Sequence, residues 1–257
     1  MIKRILETTI LVILFFMAAN AQSPSGSEVD VDEKLGDTVA LDVPLKDEEG
    51  DDILLRDLVD KPTILIFNYF RCPGICPILL TSVVNAVNEM SLEPGKDYRL
   101  VAVSFDPTDT PAMARQKKAN YLNMVRRPFP PDAWRFLTGS AENTKTIADS
   151  TGYNYLKQGE DMFMHPGAIV ILTSEGVISR YIYGTTYQPA EVAMALNEAA
   201  LGQVRPTIAK VLSFCYSYDP EGRQYVFSIT RFFGAVILVL VAVFVIFVLL
   251  KRKKQQD

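Results

Sequence analysis

Two apolar blocks bracket a long mixed stretch of this chain. Ile10 to Ala19 is apolar throughout, and Phe232 to Leu250 runs 19 residues without a charge. Between them the apolar positions fall into short, distinct patterns. Val39 to Leu58 holds two short apolar stretches around Lys46-Asp47-Glu48-Glu49-Gly50, which predicts a β-hairpin. Thr63 to Phe70 (TILIFNYF) is a near-continuous β-branched and aromatic run, the pattern of a strand buried on both faces. From Pro77 to Met90 the residues Leu80, Val83, Val84 and Val87 share one side of a helix. Tyr98 to Phe105 predicts a second buried strand. Thr110 to Met124 predicts a helix with Thr110 as N-cap and Pro111 in the first turn. A short strand at Trp134 to Leu137 follows, then a helix over Ser140–Ser150 capped by Ser140. A hairpin joins Ala168–Thr173 to Val177–Tyr183, and a last helix spans Pro189–Leu201.

Strands alternating with helices predict an α/β layer architecture around a central mixed sheet with flanking helices. The order of elements, with a cysteine pair between the first buried strand and its helix, resembles a thioredoxin-like fold carrying an inserted strand and helix. Residues 22–35 are polar and small, a flexible lead-in. The folded domain is expected over 36–205.

The termini bear on location. Lys3 and Arg4 precede the first apolar block, and Ala19-Asn20-Ala21 offers small residues where a signal peptidase reads. Residues 1–21 therefore read as a signal peptide, with an uncleaved anchor as the other reading; either one exports the domain behind it. Residues 231–250 are long enough to span a hydrocarbon core as a transmembrane helix, and Lys251-Arg252-Lys253-Lys254 at the head of the 251–257 tail marks the cytoplasmic side. A buried core helix would not end in four consecutive cations. Residues 206–230 then form a juxtamembrane segment. Its aromatic run Phe214-Cys215-Tyr216-Ser217-Tyr218 suits a membrane interface. Cys215 is the odd one of three cysteines, open either to pairing between chains or to burial as an inert thiol.

Charge narrows the partners. Setting aside the net +1 of residues 1–21 and the net +4 of residues 231–257 from the chain's −4 leaves −9 on the part between. That balance argues against nucleic acid, which needs a basic face to release counterions.

Arg71-Cys72-Pro73-Gly74-Ile75-Cys76-Pro77 sits where a buried strand passes into a helix. Amide groups at a helix start favour negative charge, so thiols there ionise readily, and thiolate is both nucleophile and metal ligand. Three residues between the cysteines allow a disulfide or two sulfurs on one ion. A structural bridge closing so small a loop would stabilise little. His165 is the chain's single histidine, just before the apolar strand at 168, with Pro166 after it. A lone histidine is commonly structural, but in a thioredoxin-like fold this loop passes beside the cysteine motif. Two thiolates and one imidazole make a soft set that suits Cu(I), and with an added water or carboxylate can hold Cu(II). Met162 and Met164 are further soft donors nearby, or simple apolar filling.

The chain from about Gly36 to Leu201 resembles the Sco/SenC family of copper chaperones for cytochrome c oxidase assembly. The resemblance rests on Tyr69-Phe70-Arg71-Cys72-Pro73-Gly74-Ile75-Cys76-Pro77, Pro94-Gly95-Lys96-Asp97-Tyr98, Ser104-Phe105-Asp106-Pro107, Trp134-Arg135-Phe136-Leu137-Thr138-Gly139, and His165 before its strand. It implies one copper bound by Cys72, Cys76 and His165, with Asp106 near the site; the other reading of Asp106 is an ordinary turn cap. It implies as partners the copper-bearing subunit of cytochrome c oxidase and other copper donors or thiol–disulfide proteins. Together with the termini it places the domain on the periplasmic, extracytoplasmic side of the cell inner membrane, anchored in the lipid bilayer. The sequence departs from the family in its C-terminal anchor, where many members have an N-terminal one, and in the proline after His165.

Two functions remain open from sequence. One is metal delivery, without turnover. The other is a thiol–disulfide reductase, in which Cys72 and Cys76 cycle through a disulfide and His165 matters little. A peroxide-reducing site lacks its usual threonine, since Asn68-Tyr69-Phe70-Arg71 precedes Cys72.

Overall fold

Thr63–Asn68 (β3) has no exposed residue, because both of its faces are covered. Its side chains alternate between two cores: Ile64 and Ile66 on one side of the sheet, Leu65 and Phe67 on the other. β3 is the middle of a five-stranded sheet ordered β5-β4-β3-β8-β9. Arg99–Ser104 (β4) and Trp134–Leu137 (β5) lie parallel to it in turn, while Ala168–Leu172 (β8) pairs antiparallel with β3 and Ile178–Tyr183 (β9) antiparallel with β8. Helices Ile75–Glu89 (α1), Pro111–Leu122 (α2) and Pro189–Ala200 (α4) contribute to the core that holds Ile64; Ala141–Ser150 (α3) contributes Ile147 and Ala148 to the core that holds Phe67. This is a thioredoxin-like mixed sheet with flanking helices. The computed structural model describes residues 29–159 and 162–205, the strands at 216–219 and 224–227, and residue 241.

The predicted elements stand with small shifts at their ends. Thr110 and Ser140 cap as expected, their side chains accepting from the amides of Met113 and Asn143. α1 begins at Ile75, two residues before Pro77, so Cys76 lies in its first turn. The hairpin around residues 46–50 pairs Pro44–Lys46 (β1) with Asp52–Leu54 (β2).

Other features depart from expectation. The polar lead-in ends before residue 35: Val31 bridges Tyr153, the Asp32 amide donates to the Gly152 carbonyl at 2.8 Å, and the Lys34 amide donates to the Tyr181 hydroxyl at 3.0 Å. Gly152 must be glycine, since its φ is +66° and a Cβ there would lie 1.8 Å from the Asp32 carbonyl oxygen. Two short hairpins are additional: Leu156–Gln158 (β6) with Met162–Met164 (β7), and, in a separate unit, Tyr216–Asp219 (β10) with Gln224–Phe227 (β11). The expected signal peptide at 1–21 lies outside the described residues, as does the expected transmembrane helix at 231–250 apart from residue 241. Among the described residues no helix is long and apolar enough to cross a membrane.

The turn between β1 and β2 carries a buried charge. Glu48 is fully buried, accepting from Lys118 of α2, from Arg135 Nε of β5 at 2.9 Å and from the Phe136 amide at 3.2 Å. Arg135 also donates to Asp47 at 2.7 Å. One carboxylate thus fastens the hairpin to the edge of the sheet and to α2. Removing Glu48 takes the carboxylate from Lys118 and leaves Arg135 with Asp47 and Glu49 alone; breaking such a buried cluster costs about 3 kcal/mol. Glu48→Ala is expected to lower stability by that amount in chemical denaturation followed by the fluorescence of Trp134, the only tryptophan and fully buried beside Arg135.

Candidate metal centre

β3 ends at Asn68, and the chain crosses Tyr69, Phe70 and Arg71 to reach Cys72 before α1 begins. β7 ends at Met164, and His165 with Pro166 and Gly167 leads into β8. The antiparallel pairing of β3 with β8 brings these two connections to the same end of the sheet. Cys76 Sγ lies 3.1 Å from His165 Nε2. The donor atoms of Cys72, Cys76 and His165 all fall within 4.8 Å of one another, and no carboxylate belongs to the group. All three expected ligands are therefore assembled, with both cysteines as free thiols.

The neighbours hold this geometry. His165 is edge-on to Phe105, with ring centroids 5.3 Å apart, and to Tyr69 at 6.1 Å. Its Nδ1 faces the Tyr153 hydroxyl at 2.9 Å and the Pro166 carbonyl at 3.1 Å. Gly167 lets α1 and β9 close on the loop: a Cβ there would stand 3.0 Å from the Gly184 carbonyl oxygen and 3.1 Å from Ile75 Cδ1.

The two thiols are unequal. Cys72 is held well below the usual thiol range, first by a hydrogen bond from Cys76, then by His165 and by the amides of Cys76 and Gly74, all against the opposing effect of burial. Those amides are available because Gly74 caps α1 without a side chain. Cys76 is pushed the other way, by giving its hydrogen bond to Cys72 and then by burial. Burial and the bond to Cys72 raise the Tyr69 phenol to about 12, so that it stays protonated and donates to the sulfur. The reduced site thus carries one thiolate and one thiol.

Asp106 is close to the motif without entering the ligand set. Its carboxylate accepts from Arg71 at 2.8 Å and from the Thr108 amide and hydroxyl at 2.9 and 2.7 Å, so it caps a turn and steadies the residue before Cys72. Asp109 was not singled out by sequence, yet it is buried and accepts from the Phe70 amide and the Ser104 hydroxyl, each at 2.6 Å. The spacing Asp106-x-x-Asp109 after a buried strand was its one available signal. Met162 and Met164 sit on the solvent face of β7, 51% and 45% exposed, with Phe163 turned inward between them. Cys215 lies outside the described residues.

A thioredoxin-like domain with two thiols and one imidazole converging at the start of its first helix defines a class of metal-handling proteins. The family model described as SCO1/SenC matches residues 32–201, and the chain belongs to that family. Protein SCO1 homolog 1, mitochondrial, of Arabidopsis thaliana is 31% identical over 114 residues, covering 44% of this chain and 32% of the relative. The chain thus spans about a third of that relative's length. Among solved structures, an Aquifex aeolicus VF5 protein provisionally classed in electron transfer is 29% identical with a TM-score of 0.59, covering 66% of this chain and 96% of its own. Arabidopsis thaliana ScoI with copper bound shares the fold at 24% identity and a TM-score of 0.52, covering 62% of this chain and 96% of its own.

A depressed thiol pKa keeps the thiolate above that pKa and loses it only as pH falls through it. Iodoacetamide is therefore expected to modify Cys72 ahead of Cys76 and almost as fast at pH 6 as at pH 8, whereas an ordinary thiol slows on the order of 100-fold over that range. Peptide mass spectrometry of the reduced chain reads this out; equal labelling of both cysteines, or a 100-fold slowing at Cys72, would contradict the asymmetry.

Proposed function

We propose that this chain is a copper chaperone anchored to the cell inner membrane, which binds one copper ion through Cys72, Cys76 and His165 on the periplasmic side and delivers it to the binuclear copper centre of cytochrome c oxidase. The observation that carries this reading is the 3.1 Å approach of Cys76 Sγ to His165 Nε2 within a three-donor cluster. A dithiol reductase needs no imidazole there. Two sulfurs and one nitrogen are soft donors suited to copper, whereas a structural zinc site would take a fourth protein ligand. Membership of the SCO1/SenC family and the copper-bound fold neighbour support the choice of metal.

Delivery requires that an incoming ligand reach the ion. Three protein donors leave room for a fourth, so a partner's thiolate can join before a chain ligand leaves. Ile78, 58% exposed and two residues past Cys76, and Met164, next to His165, put exposed apolar surface near the ligands, where a partner can dock. The anchor and the orientation rest on the sequence of the termini: the basic cluster after residue 250 and the exported start.

The test is copper titration of the reduced full chain in detergent against a Cu(I) chelator, beside Cys72→Ser, Cys76→Ser and His165→Ala. One ion per chain is expected, with each variant binding at least tenfold more weakly, the scale on which metal sites respond to lost support. If His165→Ala binds as tightly as the natural chain, the three-donor site is wrong. Brisk copper-independent reduction of a partner disulfide by both the natural chain and His165→Ala would favour the reductase instead.

A further inference from the structure

A cleft of about 170 Å³ opens between α1 and α2 beside the cysteine pair, lined among others by Asn68, Cys72, Cys76, Leu80, Lys117 and Tyr121. Alternation along β3 puts Asn68 on the face of Ile64 and Ile66, a face otherwise given to the apolar core under these helices. Its side chain is 1% exposed, yet neither its carbonyl oxygen nor its amide nitrogen has a hydrogen-bond partner. A buried amide left this way is costly, and few native side chains are.

A second unmatched group stands in the same cleft. Lys117 and Tyr121 are one helical turn apart and share the side of α2 that faces the cysteines. Lys117 is half-buried, and no hydrogen bond or ion pair holds it among the described residues. No carboxylate lines the cleft, and no acidic residue occurs from Thr110 to Pro131, in a domain that is acidic as a whole. An orphan amide and a cation without a counter-ion therefore look onto one space, and both can donate to the same anion.

We propose that this cleft is an anion subsite of the cysteine pair: Lys117 and Asn68 seat the carboxylate of a small incoming thiol or disulfide, whose sulfur then lies at Cys72. Its bearing on copper rests on the function proposed above, where it names small carboxylate-bearing thiols as ligands that exchange the ion with the site. The preference for an anion does not itself depend on copper.

The test uses no metal. The reduced full chain in detergent is reacted at pH 7 with two disulfides of opposite charge, the dianion 5,5′-dithiobis(2-nitrobenzoate) and the dication cystamine. In each case the Cys72 sulfur bonds to one probe sulfur and the other leaves as a thiolate with the bonding pair. Cys76 then loses its proton and displaces the second fragment as a thiolate, which leaves a Cys72–Cys76 disulfide. Lys117→Gln and Asn68→Leu are each expected to slow the dianion about fivefold at low salt, the scale of one ion pair in water-like surroundings, and to leave cystamine no slower. Arg115→Gln removes an exposed cation of α2 outside the cleft and is expected to slow the dianion less than about twofold. A folded Lys117→Gln, judged by its thermal melt, that slows both probes alike or neither overturns the proposal. So does Arg115→Gln that matches its effect, and so does a folded Asn68→Leu with an unchanged dianion rate. If the charge preference appears but the chain binds no copper, the functional reading fails and the anion subsite stands.

Discussion

The metal centre depends on the antiparallel pairing of β3 with β8 in the middle of the sheet. Cys72 and Cys76 follow β3, while His165 precedes β8, nearly ninety positions away in the chain. With Ile66 opposite Ile169, the exit of one strand and the entrance of the other fall side by side. Had the two strands run parallel, the histidine would lie at the far end of the sheet. The strands are buried on both faces, and a register slip of one residue would exchange Leu65 and Phe67 with Ile64 and Ile66 across two packed cores. The apolar cores thereby enforce the spacing of the donors: Cys72 and Cys76 belong to the core that holds Phe67, and His165 packs on Phe105 of that core.

Around that axis the polar groups are mostly paired, and the pairings point at the site. Asp106 and Asp109 fix Arg71 and Phe70, the two residues before Cys72. Tyr69 serves Cys72 through its hydroxyl and packs at a tilt against Phe105 and Phe163, which also flank the imidazole ring or its loop. Pro166 and Gly167 have separate tasks. The proline offers a carbonyl that captures the Tyr153 proton, and the glycine leaves room for Gly184 and Ile75. The proline after His165, a departure from the family pattern in sequence, is thus accommodated without displacing the imidazole from Cys76.

Much of this was legible in the sequence, for a physical reason. Strands buried on both faces announce themselves as unbroken apolar runs, and the caps Thr110 and Ser140 act on amides three residues away. The Cys72–Cys76 pair and a unique histidine needed only the strand order to be joined. What stayed hidden depends on partners far apart in sequence. Glu48 reads as one more acidic residue in a turn until Arg135 and Lys118 close on it. Residues 30–34 read as polar linker because their docking relies on backbone groups, with Val31 as the one apolar side chain among them that enters the core. Strands β6 and β7 have three residues each, too few for alternation to register. Tyr153 reads as a core aromatic, and only the place of its hydroxyl gives it another role.

The inequality of the two thiols bears on how such a site would load and unload. Cys72 is the thiolate and, at 8% exposure against 2% for Cys76, the more accessible sulfur. An arriving cation meets a charge there first. Its own charge then replaces the proton that holds Cys76 as a thiol, since a bound metal stabilises thiolate, and binding of this kind releases protons. With Nε2 of His165 within 3.1 Å of Cys76 Sγ, nitrogen and second sulfur would close on the ion together as that proton leaves. On the function proposed above, release would run in the opposite order. A proton returning to the buried Cys76 would free that sulfur first, and a partner thiolate would then take the ion from Cys72. The same hydrogen bond that makes Cys72 the captor therefore makes Cys76 the ligand that lets go, a division of labour that a symmetric pair of thiolates would lack.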